Sequence, residues 1–130
     1  MNEKMSAETN AINWFEIPAN DIERAKKFYE SIFDINMENM EMPGMKYAMF
    51  PFDMMKGKVG GGLAQSPMHS PGVTGPIVYL NANPDLQKVL DRVEKAGGKI
   101  TMPKTSIGQN GFMAFFTDTE GNRMALHSNK

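Results

Sequence analysis

Few side chains in this 130-residue chain could carry proton or metal chemistry. There is no cysteine, which removes disulfides, thiolate nucleophiles and cysteine-bound zinc or iron–sulfur groups. There are two histidines, His69 and His127. His127 ends the run Met124-Ala125-Leu126-His127, and Glu16 interrupts the apolar run Trp14-Phe15-Glu16-Ile17. A carboxylate facing an imidazole can move a proton without metal, because histidine takes and gives protons near neutrality. A Glu16–His127 pair therefore suggests acid–base catalysis, on condition that the two strands are neighbours. The plainer reading makes Glu16 a solvated or hydrogen-bonded carboxylate, since burying it dry is costly, and His127 a surface residue. His69 falls in a Pro/Gly-rich stretch and reads as a loop residue. Trp14, the single tryptophan, offers either core volume or a stacking face with one N–H donor. Gly60-Gly61-Gly62 lacks the following Lys-Ser/Thr and helix of a phosphate loop, so it reads as a β-hairpin or bulge.

The elements that must position these residues occur twice. Ile12-Asn13-Trp14-Phe15-Glu16-Ile17 leads through a turn to Asp21-Ile22-Glu23-Arg24-Ala25-Lys26-Lys27-Phe28-Tyr29. Pro76-Ile77-Val78-Tyr79-Leu80-Asn81 leads likewise to Asp85-Leu86-Gln87-Lys88-Val89-Leu90-Asp91-Arg92-Val93. Each is a short strand feeding an amphipathic helix with apolar residues at spacings of three and four. Asn20 with Glu23 suggests a capped helix start, and Asn83 with Pro84 a second one. Gly97-Gly98 suggests the end of the second helix. Strands are expected near 45–52, 58–65, 99–102, 111–117 and 123–128, with a polar turn at Asp118-Thr119-Glu120-Gly121-Asn122. Each half thus reads as strand, helix and about three strands. The repeat predicts an α+β fold of two tandem βαβββ modules forming curved mixed sheets around a cavity. Module one covers about 11–66, a linker about 67–75, and module two about 76–128, within one domain over 11–130. Residues 1–10 read as a flexible tail.

The formal net charge of -1 comes from 14 basic and 15 acidic residues. They are well mixed, which argues against a nucleic-acid or anionic-membrane surface. No apolar run approaches the roughly 20 residues that span a bilayer. These features, with the lack of cysteine, suit a cytoplasmic protein. Eight of the 13 methionines fall between Met37 and Met68. They read as core filler or as an adaptable wall for an apolar ligand.

Several stretches together resemble the vicinal oxygen chelate superfamily of glyoxalase I, bleomycin resistance proteins and extradiol dioxygenases. They are Trp14-Phe15-Glu16-Ile17-Pro18 with its helix to Tyr29, Val78-Tyr79-Leu80, Val93-Glu94-Lys95-Ala96-Gly97-Gly98-Lys99-Ile100, and Phe116-Thr117-Asp118-Thr119-Glu120-Gly121-Asn122-Arg123. The resemblance covers about residues 11–128 and places the chain nearest the glyoxalase-like branch. It implies a divalent metal held by His, Gln or Glu on the first and last strand of each module. Those positions fall here on Trp14, Leu63, Ile77 and Ala125, none of which can bind a metal. No cofactor is therefore expected, unless a divalent metal uses a non-standard site.

Strand alternation then selects the cavity lining. Trp14 and Glu16, Leu63 and Gln65, Ile77, Tyr79 and Asn81, and Ala125 and His127 are expected to face inward. The candidate ligand-binding residues are accordingly Trp14, Leu63, Gln65, Ile77, Tyr79, Asn81 and Ala125, with Glu16 and His127 as candidate catalytic residues. The expected function is binding of a small, partly apolar ligand. The alternative is a lyase, isomerase or dioxygenase of the same superfamily, with a non-standard metal site or Glu16/His127 acid–base chemistry. A third is a regulatory dimer with a vestigial pocket. The resemblance also implies a homodimer.

Overall fold

A computed structural model describes residues 4–130. Module one runs β1 (Trp14–Pro18), α1 (Ile22–Phe33), β2 (Glu38–Met42), β3 (Met45–Met49) and β4 (Gly60–Gln65). Module two runs β5 (Tyr79–Asn81), α2 (Leu86–Val93), β6 (Lys99–Ser106), β7 (Phe112–Thr117) and β8 (Arg123–Ser128). The sheets have orders β1-β4-β3-β2 and β5-β8-β7-β6. In each, the first and last strands of the module are a parallel pair and the rest are antiparallel. The fold is α+β, as the repeat predicts.

The two helices bury the faces that their spacing selects. Ile22, Ala25, Phe28, Tyr29 and Ile32 of α1 are buried, as are Leu86, Val89, Leu90 and Val93 of α2. These join Ile17, Leu63, Leu80, Phe116 and Leu126 in one core cluster spanning both modules. The Phe28 ring of module one lies 5.9 Å from Phe116 of module two. Burial of each Leu, Ile, Val or Phe side chain among them supplies about 1.5–3 kcal/mol.

Two local expectations are corrected, and one unannounced strand appears. The N-caps are Asp21 and Asp85, not Asn20 and Asn83: Asp21 accepts from the Arg24 N–H and Asp85 from the Gln87 N–H. Asn20 instead donates its backbone N–H to Glu120, and Asn83 Oδ1 accepts from the Asn129 N–H. The helix α2 ends at Val93, before Gly97-Gly98; the Gly98 N–H still reaches back to the Val93 carbonyl at 2.9 Å. Finally, β2 is an exposed edge strand, Glu-Asn-Met-Glu-Met, with no alternation to announce it. At an edge of the second sheet β6 extends to Ser106 past Pro103, with register shifts on either side of Met102 that an edge position tolerates.

The Met-rich segment is mixed, with Met42, Met45 and Met49 half-buried. Met37 is buried, but Met40, Met55 and Met68 are exposed. Of the expected tail, residues 1–3 lie outside the described residues. Ser6–Thr9 form a hydrogen-bonded turn, and Asn10 donates to the Gly57 carbonyl at 3.2 Å.

Candidate functional site

Strand alternation sorts the predicted residues into two sets. On β1, Ile17 enters the core with Phe15 packed against it, so Trp14 and Glu16 point to the open face of the sheet. On β5 and β8, Leu80 and Leu126 enter the core. Tyr79, Asn81, Ala125 and His127 share the other face through the pairs Tyr79↔Ala125 and Asn81↔His127. These six residues lie on the faces that alternation predicts, although only Trp14, Tyr79 and Asn81 of them border the cleft between β1 and β5.

On β4 the phase is opposite to expectation. Leu63 is fully buried in the core. Gln65 turns towards α1, where its Oε1 accepts the Ile22 N–H at 2.8 Å. The register explains the error: Glu16 pairs with Gly62, as Tyr79 pairs with Ala125. A one-residue slip moves every side chain of a strand to the other face. The module-one counterpart of Ala125 is therefore Gly62, not Leu63.

The three glycines of β4 form neither turn nor bulge. They lie within the strand because aromatic rings cover them. A Cβ on Gly60 would meet the Phe52 ring at 2.6 Å, and one on Gly61 would overlap Phe15. A Cβ on Gly62 would come within 2.5 Å of Tyr47 and 2.6 Å of the Ala48 carbonyl oxygen. Tyr47 thereby lies beside Trp14, whose indole Nε1 donates to the Tyr47 hydroxyl at 2.6 Å.

A cleft of about 1040 Å³ opens where the free edges of β1 and β5 approach. Its walls include Trp14, Phe50, Ile77 and Tyr79, and its polar groups include Lys88 and Arg92. Asn81 also borders it, whereas Glu16, Leu63, Gln65, Ala125 and His127 do not. Trp14 is 38% and Tyr79 49% exposed, high values for such large rings.

The predicted Glu16–His127 pair does not form. Glu16 belongs to the first sheet and His127 to the second. The ring Nε2 of His127 instead engages the Asn110 carbonyl at 2.7 Å. The partner of Glu16 is His69, whose Nε2 lies 2.8 Å from Glu16 Oε1. His69 Nδ1 in turn lies 2.7 Å from Ser66 Oγ. Glu16 also bears on Tyr47. Burial pushes the Tyr47 phenol up, the Trp14 hydrogen bond lowers it, and Glu16 raises it again, leaving it at about 12. Sequence reasoning treated His69 as a plain loop residue and passed over Ser66 and Tyr47. Only the Ser-Pro-Met-His spacing, one turn long, hinted at a local contact. Nothing in the sequence shows that this turn folds back over β1.

Trp14 and Gly62 in module one and Ile77 and Ala125 in module two, on or next to the first and last strands, have no carboxylate, imidazole or amide to offer a metal. Among the described residues no three His, Asp or Glu side chains cluster as metal ligands. The donor set does not fit a divalent ion at that position.

Paired βαβββ modules with a cleft between their first strands define an α+β fold class. The sequence profile of the Glyoxalase/Bleomycin resistance protein/Dioxygenase superfamily matches residues 11–126, and the chain belongs to that family. It is 34% identical over 121 residues to a glyoxylase-like domain-containing protein of Didymella fabae, covering 88% of this chain and 91% of that one. It is 32% identical over 116 residues to the glyoxylase-named protein CFP32 of Mycobacterium bovis, covering 88% of this chain. The match spans 44% of that relative's length. Among solved structures, a glyoxylase/bleomycin resistance protein/dioxygenase domain from Frankia superposes with TM-score 0.69 at 13% identity, covering 95% of this chain and 100% of that one. Glyoxalase I from Zea mays gives 0.64 at 20% identity, covering 90% and 45%. Identities this low establish the fold alone.

Proposed function

We propose that this protein binds a small, partly apolar ligand in the cleft between β1 and β5, without a divalent metal at the position its family uses. The observation that carries this reading is the cleft. It has about 1040 Å³ of space, an aromatic and aliphatic wall, and a few polar groups at its border. Small-molecule sites have that composition. The exposed faces of Trp14 and Tyr79 leave aromatic area for a flat ligand to cover. Neither histidine lines the cleft, which supports binding over acid–base turnover there. Within this reading the protein acts as a cytoplasmic homodimer and contacts neither nucleic acid nor membrane. The near-neutral, mixed charge supports the lack of a nucleic-acid surface, and among the described residues no helix is long and apolar enough to cross a membrane.

Titration with anilinonaphthalenesulfonate, a flat aromatic anion, tests the cleft through the fluorescence of Trp14. Saturable one-to-one binding is expected, weakened about five- to ten-fold by Tyr79→Ala through loss of an aromatic contact. In Trp14→Leu the probe's own emission should report a similar loss. No saturation, or unchanged affinity in both variants, refutes the reading. Equilibrium dialysis against Zn²⁺ and Ni²⁺ tests the metal half; stoichiometric retention of either would overturn it.

A further inference from the structure

A second polar cluster lies outside the cleft, on the first sheet. Ser66, His69 and Glu16 form one chain of hydrogen bonds: Ser66 Oγ to His69 Nδ1 at 2.7 Å, and His69 Nε2 to Glu16 Oε1 at 2.8 Å. An ionised carboxylate can only accept, so Glu16 places the imidazole proton on Nε2. The lone pair of Nδ1 then faces the Ser66 hydroxyl. The ring nitrogens are exchanged relative to the serine-protease arrangement, in which Nε2 faces the serine, but the roles are the same. The Met68 N–H also donates to Ser66 Oγ, at 3.1 Å, and so favours negative charge on that oxygen.

Ser66 opens onto a separate pocket of about 530 Å³ at the carboxyl ends of the parallel strands β1 and β4. Asn20, Lys46 and Gln65 supply its polar walls, and no acidic side chain lines it. The His69 side chain is 17% exposed and that of Glu16 38%, so the imidazole is largely covered while the carboxylate stays open to water.

We propose that Ser66, His69 and Glu16 are a nucleophile, base and orienting carboxylate that hydrolyse small carboxylic esters, with esters bearing an anionic group preferred. Ser66 Oγ attacks the ester carbonyl carbon as its proton passes to His69 Nδ1. The bond from that carbon to the alcohol oxygen breaks, and His69 returns the proton to the departing alcohol. Water then attacks the acyl carbon while giving a proton to Nδ1. The acyl–Ser66 bond breaks and the proton returns to Ser66 Oγ, leaving a carboxylic acid. Nothing is oxidised or reduced. Glu16 stays ionised and stabilises the transient imidazolium. Lys46 and the Asn20 amide are the donors available to a developing oxyanion and to an anionic substituent.

The test uses p-nitrophenyl acetate and the p-nitrophenyl monoester of succinate with the full chain. The expected result is nitrophenol release with an initial burst, an acyl group on Ser66 located by peptide mass spectrometry, and faster turnover of the succinate ester. Ser66→Ala and His69→Ala should each lower kcat/KM by about 100-fold or more. Glu16→Gln should lower it by about ten-fold or more, because it loosens the tautomer. Ser66→Cys, which keeps a nucleophile, should still acylate. Release no faster than in buffer, acylation elsewhere than Ser66, or full turnover by Ser66→Ala overturns the proposal. Equal rates on the two esters overturn its anionic preference. Binding of anilinonaphthalenesulfonate by Ser66→Ala should match the parent, so this activity and the cleft are tested independently.

Discussion

Glu120 and Arg24, 96 residues apart, form a two-point ion pair: Nε to Oε2 at 2.7 Å and Nη2 to Oε1 at 3.1 Å. The Glu120 side chain has no exposed surface, while that of Arg24 is 52% exposed. Glu120 Oε1 also accepts the backbone N–H groups of Asn20 and Asp21, each at 2.8 Å. A turn of module two thus holds the start of the module-one helix. Asn122 adds a bond from its Nδ2 to the Pro18 carbonyl at 2.7 Å.

Acid should release this clasp. Burial raises the Glu120 carboxyl, but Arg24, the two N–H groups and Thr119 together outweigh it and hold it below the usual range. A depressed folded-state value stabilises the fold above the ordinary glutamate value of 4.5, and the gain is lost as pH falls through the depressed one. Glu120→Gln should cost about 2 kcal/mol at neutral pH and flatten the acid limb of stability. Urea melts of both proteins from pH 7 down to about pH 3 read this.

Tyr29 is fully buried and donates its hydroxyl to Asp118 Oδ2 at 2.7 Å. Tyr29→Phe keeps the ring against Phe28 and Phe116 but removes a donor to a buried carboxylate. The expected loss is about 1.5–3 kcal/mol by urea denaturation, with an unchanged slope.

Alkaline titration should separate the tyrosines. Tyr47 should ionise at about 12, and Tyr29 lies well above the ordinary value because it is buried beside Asp118. Keeping Tyr47 neutral leaves stability intact below the unfolded value of 10.0, and it is lost as pH rises to about 12. Phenolate absorbance reads this directly. Glu16→Gln should lower the Tyr47 midpoint, since Glu16 raises it; an unchanged midpoint would show that the two do not interact.

Gly62→Ala should destabilise by about 1–3 kcal/mol, because the new methyl meets the backbone oxygen of Ala48 as well as a movable ring. Thermal melts test the size of the loss. Gly72→Ala, where a Cβ meets nothing within 4 Å, should be close to neutral by comparison.

Much of the fold was legible before any coordinates. The spacing of Ile22, Ala25, Phe28, Tyr29 and Ile32 marks one helix, and that of Leu86, Val89, Leu90 and Val93 the other. The interval 123–128 proved to be β8 residue for residue. β2 was not legible, because an edge strand exposed on both faces carries no alternating pattern. Among candidate site residues, Trp14, Ile77, Tyr79 and Asn81 do border the cleft. Leu63 and Gln65 do not, because the start of β4 is a run of glycines with no side chains to set its phase; Glu16, Ala125 and His127 lie on the expected faces but away from the cleft.

The sequence by itself determined the repeated βαβββ plan, the helix faces and the residue types available to a site. These are local properties of periodicity and residue type. Only the tertiary structure decided the partners of distant groups. It set Glu16 against His69 instead of His127, and turned the polar turn at 118–122 into a clasp on α1. Such pairings depend on register and on how a linker folds back. Neither leaves a periodic trace, since each is fixed by contacts between residues far apart in the chain.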